Sequence, residues 1–172
     1  MNLSELGIKA RAASVLLAKM NVETKNKALI ACADALVKES NSILEANAKD
    51  VLIGREKGMN EGLVDRLMLT EERIKGIAEG LEQVAALDDP VGEVLDMKKR
   101  PNGLLIGKKR VPLGVVGMIY EARPNVTPDA FALCFKSGNA VILRGGSDAI
   151  NSNIAIVKVL QDTLKACGIT ED

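Results

Sequence analysis

Apolar residues recur at helical spacing through the first half of the chain. The clearest stripe has the 3-4 spacing of one helix face and consists of Ile74, Ile77, Ala78, Leu81, Val84 and Ala85. Thr70, followed by two glutamates, predicts the start of this helix, because threonine caps the first turn and acidic side chains favour its dipole. An earlier helix is predicted to bury Leu29, Cys32, Ala33 and Leu36, and another to span residues 42–57. Residues 1–90 are therefore predicted to form a helical N-terminal part.

The pattern changes after Pro90 to short segments of alternating polarity. Segments 91–100 and 104–111 flank Pro101-Asn102-Gly103, where Asn-Gly favours the positive φ angles of a tight turn. Residues 91–112 are therefore predicted to form a β-hairpin with charged flanks. Its basic residues are not interleaved with aromatic side chains that could stack bases, which argues against a nucleic-acid site.

Continuous apolar runs then alternate with helical segments. Residues 113–119 and 140–143 are predicted strands, and residues 127–136 and 147–166 are predicted helices. Such strands are typical of a parallel sheet covered on both faces, so residues 113–172 are predicted to begin an α/β domain of the Rossmann type. Ligands bind such sheets outside the carboxyl ends of the strands, and both polar motifs of the chain fall there.

Charge and composition exclude several classes of function. The 172 residues include 23 basic and 23 acidic side chains, so no net charge draws the chain to nucleic acid or to an anionic membrane. There is no histidine, which excludes Ser-His-Asp and Cys-His catalysis within the chain. The cysteines form no CxxC pair, so we expect reduced thiols and no metal site at Cys32, Cys134 and Cys167. With no signal-peptide pattern and no apolar run near the roughly 20 residues that span a bilayer, a cytoplasmic location is expected.

The first polar motif is Leu-Arg-Gly-Gly-Ser at 143–147, where a predicted strand meets a predicted helix. Its glycines allow close backbone approach, a helix N-terminus offers N–H groups to a phosphate, and Arg144 adds a fixed charge. Equally open is a simple turn, in which Ser147 caps the helix and Asp148 satisfies its dipole. The standard dinucleotide fingerprint, G-x-G-x-x-G, is absent.

The second polar motif is Tyr-Glu-Ala-Arg-Pro-Asn-Val-Thr-Pro at 120–128, directly after the first predicted strand. The amide of Asn125 could donate to a developing oxyanion, and Arg123 could hold a carboxylate or a phosphate. Residue types alone favour the plainer alternative, in which Asn125 builds a turn and Arg123 is a solvated charge.

Together these motifs closely resemble those of γ-glutamyl phosphate reductase, a family of the aldehyde dehydrogenase superfamily. The matching residues are Tyr-Glu-Ala-Arg-Pro-Asn-Val-Thr-Pro-Asp at 120–129 and Lys-Ser-Gly-Asn-Ala-Val-Ile-Leu-Arg-Gly-Gly at 136–146, and the resemblance covers essentially all 172 residues. It implies an α/β fold, namely an aldehyde-dehydrogenase-like, Rossmann-type cofactor domain, incomplete here, with the catalytic domain outside the chain. It also implies that hairpin 91–112 is an oligomerisation element, so a homo-oligomer is expected for the full-length protein.

The resemblance implies roles for five residues. Asn125 matches the superfamily asparagine whose amide helps form the oxyanion hole. Arg144 matches a strand-end lysine that contacts the adenosine ribose and any 2′-phosphate, and Gly145 and Gly146 continue that turn. Ser147 falls where many NAD-using relatives keep a glutamate, and losing that carboxylate removes a repulsion against a 2′-phosphate. NADP(H) is therefore the expected cofactor.

The chain departs from the wider superfamily at Arg123-Pro124, where most members have Pro-Trp. An arginine suits the anionic substrate of the γ-glutamyl phosphate branch, so we interpret Arg123 as a substrate anchor. The resemblance then implies an NADPH-dependent reductase of proline biosynthesis, which converts L-glutamyl 5-phosphate, a small-molecule substrate, to L-glutamate 5-semialdehyde and phosphate.

The nucleophilic cysteine of the family matches no residue of this chain. Cys134 lies among apolar residues and is expected to be a buried structural thiol. The 172-residue chain alone is therefore expected to be inactive. Two alternatives stay open: a non-catalytic binding or structural module derived from the same fold, and a different acyl-phosphate or aldehyde dehydrogenase, which the loop around Arg123 disfavours.

Overall fold

Helices fill the first half of the chain, and short strands alternate with helices in the second. The computed structural model describes residues 2–170. The first five helices are α1 (Leu3–Leu17), α2 (Val22–Lys38), α3 (Ser40–Glu56), α4 (Glu61–Leu67) and α5 (Glu71–Ala86). They are followed by β1 (Val94–Lys99), β2 (Leu105–Lys109), β3 (Val115–Ile119), α6 (Val126–Lys136), β4 (Ala140–Arg144) and α7 (Ile150–Ala166). None of these helices combines the length and the apolar character needed to cross a membrane.

Capping and apolar periodicity explain the helical part. The side chain of Thr70 accepts a hydrogen bond from the Arg73 N–H at 3.1 Å, which confirms the predicted start of α5. The predicted α5 stripe is buried except for Val84, which is half-buried, and the four predicted residues of α2 are all buried. Helices α2 and α5 pack against each other, and α7 packs against α2 and α3. The core therefore extends from the helical part into the α/β part.

The hairpin forms as predicted, but its turn differs. Strands β1 and β2 pair in antiparallel fashion. Gly103 has a φ of +88°, as expected of the Asn-Gly pair, whereas Asn102 has no positive φ, so that part of the prediction is wrong. Instead the Gly103 N–H donates to the Arg100 carbonyl at 2.9 Å, and the Arg100 N–H donates to the Leu104 carbonyl at 2.8 Å. Pro101 sets the first central φ of this turn, which makes a three-residue loop closed by glycine.

Strands β3 and β4 form a parallel pair whose carboxyl ends share one edge. The register runs from Val115 opposite Ala140 to Ile119 opposite Arg144, with α6 as the crossover. The expectation of strands buried on both faces is not met within residues 2–170, since most residues of β3 and β4 are half-buried and Ile119 is 86% exposed. The helices that pack on β3 and β4 therefore leave part of the apolar surface of these strands exposed.

Two buried lysines tie the helical part to α6. The fully buried Lys25 donates to the main-chain carbonyl of Lys136 at 3.0 Å and forms an ion pair with Asp89. The Lys136 ammonium donates to Asn26 Oδ1 at 2.6 Å and to the Ala85 carbonyl at 2.8 Å. Burial lowers the pKa of Lys136, and Asp89 partly offsets this effect. Each ammonium satisfies a carbonyl at a helix C-terminus, Lys25 that of α6 and Lys136 that of α5.

The N-terminus of α7 is closed by a residue from α3. This helix begins at Ile150, after a single 3-10 turn at Ser147–Ala149, and not at residue 147 as predicted. Asp50, which is 2% exposed, accepts hydrogen bonds from the backbone N–H groups of Asn151 (3.2 Å) and Ser152 (2.7 Å). It also accepts from the side chains of the same two residues, at 2.7 and 2.6 Å. A buried carboxylate thus serves as the cap of a helix from another part of the chain.

Asn47 lies one turn before Asp50 on α3 and joins the same region to the α4–α5 junction. Its amide donates to the Leu67 carbonyl at 2.8 Å and to Ser152 Oγ at 3.0 Å, and its oxygen accepts from the Leu69 N–H at 2.7 Å. All of these groups are buried, so each needs the partner it has. Helix α3 therefore fixes α4, α5 and α7 relative to one another.

We expect Asp50→Ala to lower the free energy of unfolding of the 172-residue chain by about 3 kcal/mol, because it leaves one buried and one half-buried helical N–H group without an acceptor. Urea unfolding followed by circular dichroism measures the change. The matched control is Asp34→Ala, an exposed aspartate on α2, which should change the free energy by less than about 0.5 kcal/mol. A loss below 1 kcal/mol in Asp50→Ala would contradict the capping role.

Candidate functional site

The two polar motifs lie side by side at the carboxyl edge of the β3–β4 pair, as predicted. The Tyr120 N–H donates to the Arg144 carbonyl at 3.2 Å, which extends the strand register by one step. The Tyr120 hydroxyl donates to Thr127 Oγ1 at 2.7 Å, and Thr127 donates to Asn153 Oδ1 at 2.8 Å. Thr127 and Asn153 are buried, so this short chain of hydrogen bonds connects the second motif with α7.

Only glycine fits at positions 145 and 146, because the backbone there lies against the second motif. A Cβ at Gly145 would clash with the Asn153 amide nitrogen and lie 3.0 Å from the Tyr120 ring. A Cβ at Gly146 would lie 2.8 Å from the backbone nitrogen of Ala122. Ala122 in turn packs against the buried side chains of Val51, Val64, Leu67 and Ala149. The glycines therefore let the two loops pack together, whatever else binds there.

The α7 N-terminus does not present free N–H groups in the way the sequence suggested. The N–H groups of Asn151 and Ser152 are bound by Asp50, so neither is available to a phosphate. The plainer alternative is also wrong in its details, because Ser147 makes no cap and Asp148 lies 3.6 Å from the Lys57 ammonium in an ion pair. What this turn offers a ligand is the exposed side chains of Arg144 and Ser147. The Arg144 guanidinium donates to the neighbouring Gly145 carbonyl, which holds it over the turn.

A polar cavity of about 450 Å³ lies beside the second motif. One wall comes from α4, α5 and their junction, and the other from the second motif and the first turn of α6. Its charged and amide side chains are Asp65, Arg66, Arg73, Arg123, Asn125 and Asp129. The structure therefore brings Arg123 and Asn125 into one cavity, and it places Arg144 and Ser147 outside that cavity.

Asn125 precedes α6 in an αR conformation, with φ −62° and ψ −26°, and its side chain does not cap the helix. The Asn125 side chain is hydrogen-bonded to Asp129, which lies one helical turn later. Burial raises the pKa of the Asp129 carboxyl, and the hydrogen bond from Asn125 partly offsets this rise. A primary amide has two N–H donors, so the second N–H of Asn125 is left for a ligand in the cavity.

Arg123 lies at the mouth of the same cavity. Its Nε is 3.5 Å from Glu121 Oε2, within ion-pair distance, yet this nitrogen is buried and makes no hydrogen bond. Buried donors without an acceptor are rare in proteins. An anion with a planar pair of oxygens is the partner that a guanidinium fits best.

The cysteines differ in accessibility. Cys32 is fully buried, and desolvation raises its pKa to about 12. Cys134 is buried on α6, as expected, and desolvation raises its pKa as well. Cys167 lies just beyond the end of α7 and is exposed. Neither buried thiol has the thiolate character that a nucleophile needs.

The fold is that of the N-terminal part of an aldehyde dehydrogenase. A probable aldehyde dehydrogenase from Listeria monocytogenes superposes with a TM-score of 0.67 at 16% identity, covering 93% of this chain and 32% of that one. At that identity the likeness shows the fold alone. No protein-family model matches the chain.

Several relatives of higher identity are γ-glutamyl phosphate reductases. The chain is 58% identical over 171 residues to the γ-glutamyl phosphate reductase of Lachnospira eligens, which is 99% of this chain and 41% of the relative. The crystal structure of γ-glutamyl phosphate reductase from Thermotoga maritima superposes with a TM-score of 0.96 at 47% identity, covering 99% of this chain and 41% of that one. The chain is thus homologous to the N-terminal part of γ-glutamyl phosphate reductases, which confirms the resemblance of its motifs. It spans about two fifths of the length of these relatives.

Sequence reasoning missed several residues of this region. Asp129 follows Asn125 by four residues, so helical spacing alone could have placed both on one face. Arg66 lies on a different helix, far from either motif, and no local pattern marks it. Asp50 and Asn153 act on the turn at 145–147 from α3 and α7, and only the tertiary structure shows this.

We expect iodoacetamide at pH 8 to modify the folded 172-residue chain at Cys167 only, because burial and a raised pKa keep Cys32 and Cys134 as unreactive thiols. Intact-mass spectrometry counts the labels, and peptide mapping locates them. In 6 M guanidinium chloride all three thiols should react. Labelling of Cys134 at a rate similar to that of Cys167 in the folded chain would show that its environment is not closed.

Proposed function

We propose that this chain forms the N-terminal part of an NADPH-dependent reductase that converts L-glutamyl 5-phosphate to L-glutamate 5-semialdehyde and phosphate, in proline biosynthesis in the cytoplasm. The observation that carries the proposal is the cavity at the carboxyl edge, where the Asn125 amide and the Arg123 guanidinium lie together in a chain 58% identical to a γ-glutamyl phosphate reductase. A reduction of an acyl phosphate needs a donor for an oxyanion and cations for an anionic substrate, and this cavity holds both.

Asn125 acts as an oxyanion donor in this proposal. The carbonyl oxygen of the substrate gains negative charge when its carbon becomes tetrahedral, and an N–H group already aimed at that position stabilises the charge. The hydrogen bond between Asn125 and Asp129 holds the amide in place before the substrate arrives. The N-terminal end of α6, next to Asn125, adds a positive partial charge at the same point.

The cofactor is assigned to the opposite side of the second motif. NADPH, when bound, supplies the hydride that reduces the acyl carbon. The turn at 144–147 fits the adenosine end of NADPH: Arg144 offers an exposed cation, Ser147 an exposed hydroxyl, and the two glycines keep the turn flat against the second motif. Asp148, the acidic side chain of this turn, is paired with Lys57, so its charge opposes a 2′-phosphate less.

The nucleophile and the subunit contact are assigned to regions outside this cavity. The nucleophilic thiol is assigned to a segment outside this chain, because Cys32 and Cys134 are buried thiols and Cys167 lies at the end of α7 opposite to both motifs, so the chain alone has no turnover. The β1–β2 hairpin joins subunits of a homo-oligomer. Its exposed apolar side chains, which a partner subunit would cover, include Val94, Leu95, Met97, Leu105 and Ile106.

A chimeric reductase, in which this chain replaces the matching part of the Lachnospira eligens relative, allows the roles to be tested. We expect Asn125→Ala to lower kcat by about 10²–10³ with little change in thermal stability, as the loss of one oxyanion donor does in other enzymes. Steady-state kinetics with glutamate 5-semialdehyde, phosphate and NADP measures the effect in the reverse direction. The matched control is Asn41→Ala, an exposed asparagine in the first turn of α3. A decrease of less than threefold would show that Asn125 only builds the turn.

Cofactor choice provides a second test in the same chimera. Ser147→Glu should raise the KM for NADPH far more than the KM for NADH, because a carboxylate at this position repels a 2′-phosphate. The expected discrimination is about 1–2 kcal/mol, or about 5- to 30-fold in the KM ratio. Arg144→Ala should act in the same direction, since it removes an attractive charge. The control is Ser4→Glu on α1. If both variants keep the parent ratio of NADPH to NADH efficiency, this turn does not contact the 2′-phosphate.

A further inference from the structure

We propose that the polar cavity beside Asn125 recognises the amino-acid end of the substrate, with Arg66 and Arg123 binding the α-carboxylate and Asp129 binding the α-ammonium. This inference rests on the proposed function and goes beyond it. It assigns two residues, Arg66 and Asp129, that neither motif singled out. It also explains how the site would distinguish an amino acid from other aldehydes or acyl phosphates of similar length.

The charges of the cavity match those of an α-amino acid once internal pairs are removed. Arg73 donates to the carbonyls of Asp65 and Met68, the latter at 2.7 Å, and its second terminal nitrogen lies 2.8 Å from Asp65 Oδ1. Arg73 and Asp65 therefore neutralise each other and close the C-terminus of α4. Arg66 and Asp129 remain, together with Arg123, whose Nε lies 3.5 Å from Glu121 Oε2 without a hydrogen bond. A substrate with one carboxylate, one ammonium and a phosphate complements this set.

Arg66 is available for a ligand and is held near it. It lies in the last turn of α4, is exposed, and forms no ion pair with any residue in the described range 2–170. Its helix is fixed at both ends, by the Asn60 side chain on the Leu63 N–H at 2.9 Å and by Arg73 at the other end. A short rigid helix thus carries a free guanidinium at the wall of the cavity.

Arg123 approaches the cavity from the opposite wall. The Glu121 carboxylate lies 3.5 Å from its buried Nε, so a ligand carboxylate would bind through the two terminal nitrogens of the guanidinium. Because Arg66 and Arg123 come from different walls, a carboxylate between them would receive hydrogen bonds from two directions. Two arginines would bind a carboxylate more strongly than one exposed arginine, because a single exposed ion pair contributes little binding free energy.

Asp129 supplies a negative charge next to Asn125 in the cavity. It lies four residues after Asn125 on α6, so both side chains face the cavity, and the two are hydrogen-bonded. A nearby cation stabilises the ionised form of a partly buried carboxylate, and the α-ammonium of an amino acid is such a cation. The reacting end of the substrate would then lie at Asn125, and the amino-acid end would lie at Asp129 and the arginines.

Substrate analogues separate the two contacts in the chimeric reductase. The analogue without the ammonium is 5-oxopentanoate, and the analogue without the carboxylate is 4-aminobutanal. We expect Asp129→Asn, whose amide oxygen can still accept a hydrogen bond from Asn125, to lower kcat/KM about tenfold with glutamate 5-semialdehyde and less than twofold with 5-oxopentanoate. We expect Arg66→Gln to lower it about tenfold with glutamate 5-semialdehyde and with 5-oxopentanoate, and less than twofold with 4-aminobutanal. The matched controls are Asp162→Asn on α7 and Arg55→Gln in the last turn of α3, both exposed.

The outcomes distinguish this inference from the proposed function. If a variant lowers kcat/KM equally for all three aldehydes, or for none, its residue does not bind the group assigned to it and the inference is overturned. If the parent chimera oxidises 4-aminobutanal or 5-oxopentanoate as well as glutamate 5-semialdehyde, amino-acid recognition is absent while the reductase chemistry stands. If the parent folds and turns over the analogues but not glutamate 5-semialdehyde, the proposed function itself fails.

A binding measurement does not depend on turnover. L-Glutamate is the probe, added to the isotope-labelled 172-residue chain and followed by NMR. We expect it to shift the Asn125 side-chain amide signals, and glutarate, which lacks the ammonium, to shift them less. Both Arg66→Gln and Asp129→Asn should reduce the shift by L-glutamate, and the two control variants should keep it. Equal shifts by L-glutamate in the parent and in both variants would overturn the assignment.

Discussion

Asp50 is a buried carboxylate that no basic side chain of residues 2–170 pairs with, and it is stabilised by the first N–H groups of α7 and by two side chains of the same turn. Burying such a charge is costly unless hydrogen bonds and a helix dipole compensate it. This requirement sets where α7 begins. The start of α7 in turn sets the path of residues 145–147, which pack against Tyr120 and Ala122. The geometry of both motifs therefore depends on a residue from α3.

The same arrangement divides the carboxyl edge into two sides with different chemistry. The second motif forms the partition between them, held by its contacts with Gly145 and Gly146 and by the hydrogen bonds through Thr127. Arg123, Asn125 and Asp129 line the cavity, whereas Arg144 and Ser147 lie outside it and are exposed. Two sets of polar side chains are therefore held at one edge of the sheet.

Much of this architecture could be predicted from local sequence. The α5 stripe, the Thr70 cap, the hairpin and the strand–helix–strand unit follow from periodicity and turn chemistry, which act over a few residues. The positive φ predicted for Asn102 is wrong, because Pro101 fixes φ at the first central position of a turn in which only Gly103 takes a positive φ. The site was predictable only in part. Asn125 and Arg123 share a motif, so local sequence could reveal them. Arg66 reaches the cavity only through the packing of α4, and Asp50 binds residues of α7 that lie 101 and 102 positions later, so no local pattern indicates either contact.

The Asp50 cap also has a consequence for the order in which the chain acquires its structure. The capping carboxylate and the N–H groups that it binds are separated by 101 and 102 residues. A ribosome adds roughly 5–20 residues each second, so α3 emerges about 5–20 s before its partner. During that interval Asp50 and Asn47 must remain hydrated, and the groove of α3 that later receives α7 must stay open to water. The helical part can collapse early, but α7 docks on it only when residues 151 and 152 arrive, so the docking of α7 and the shaping of the carboxyl edge are one event.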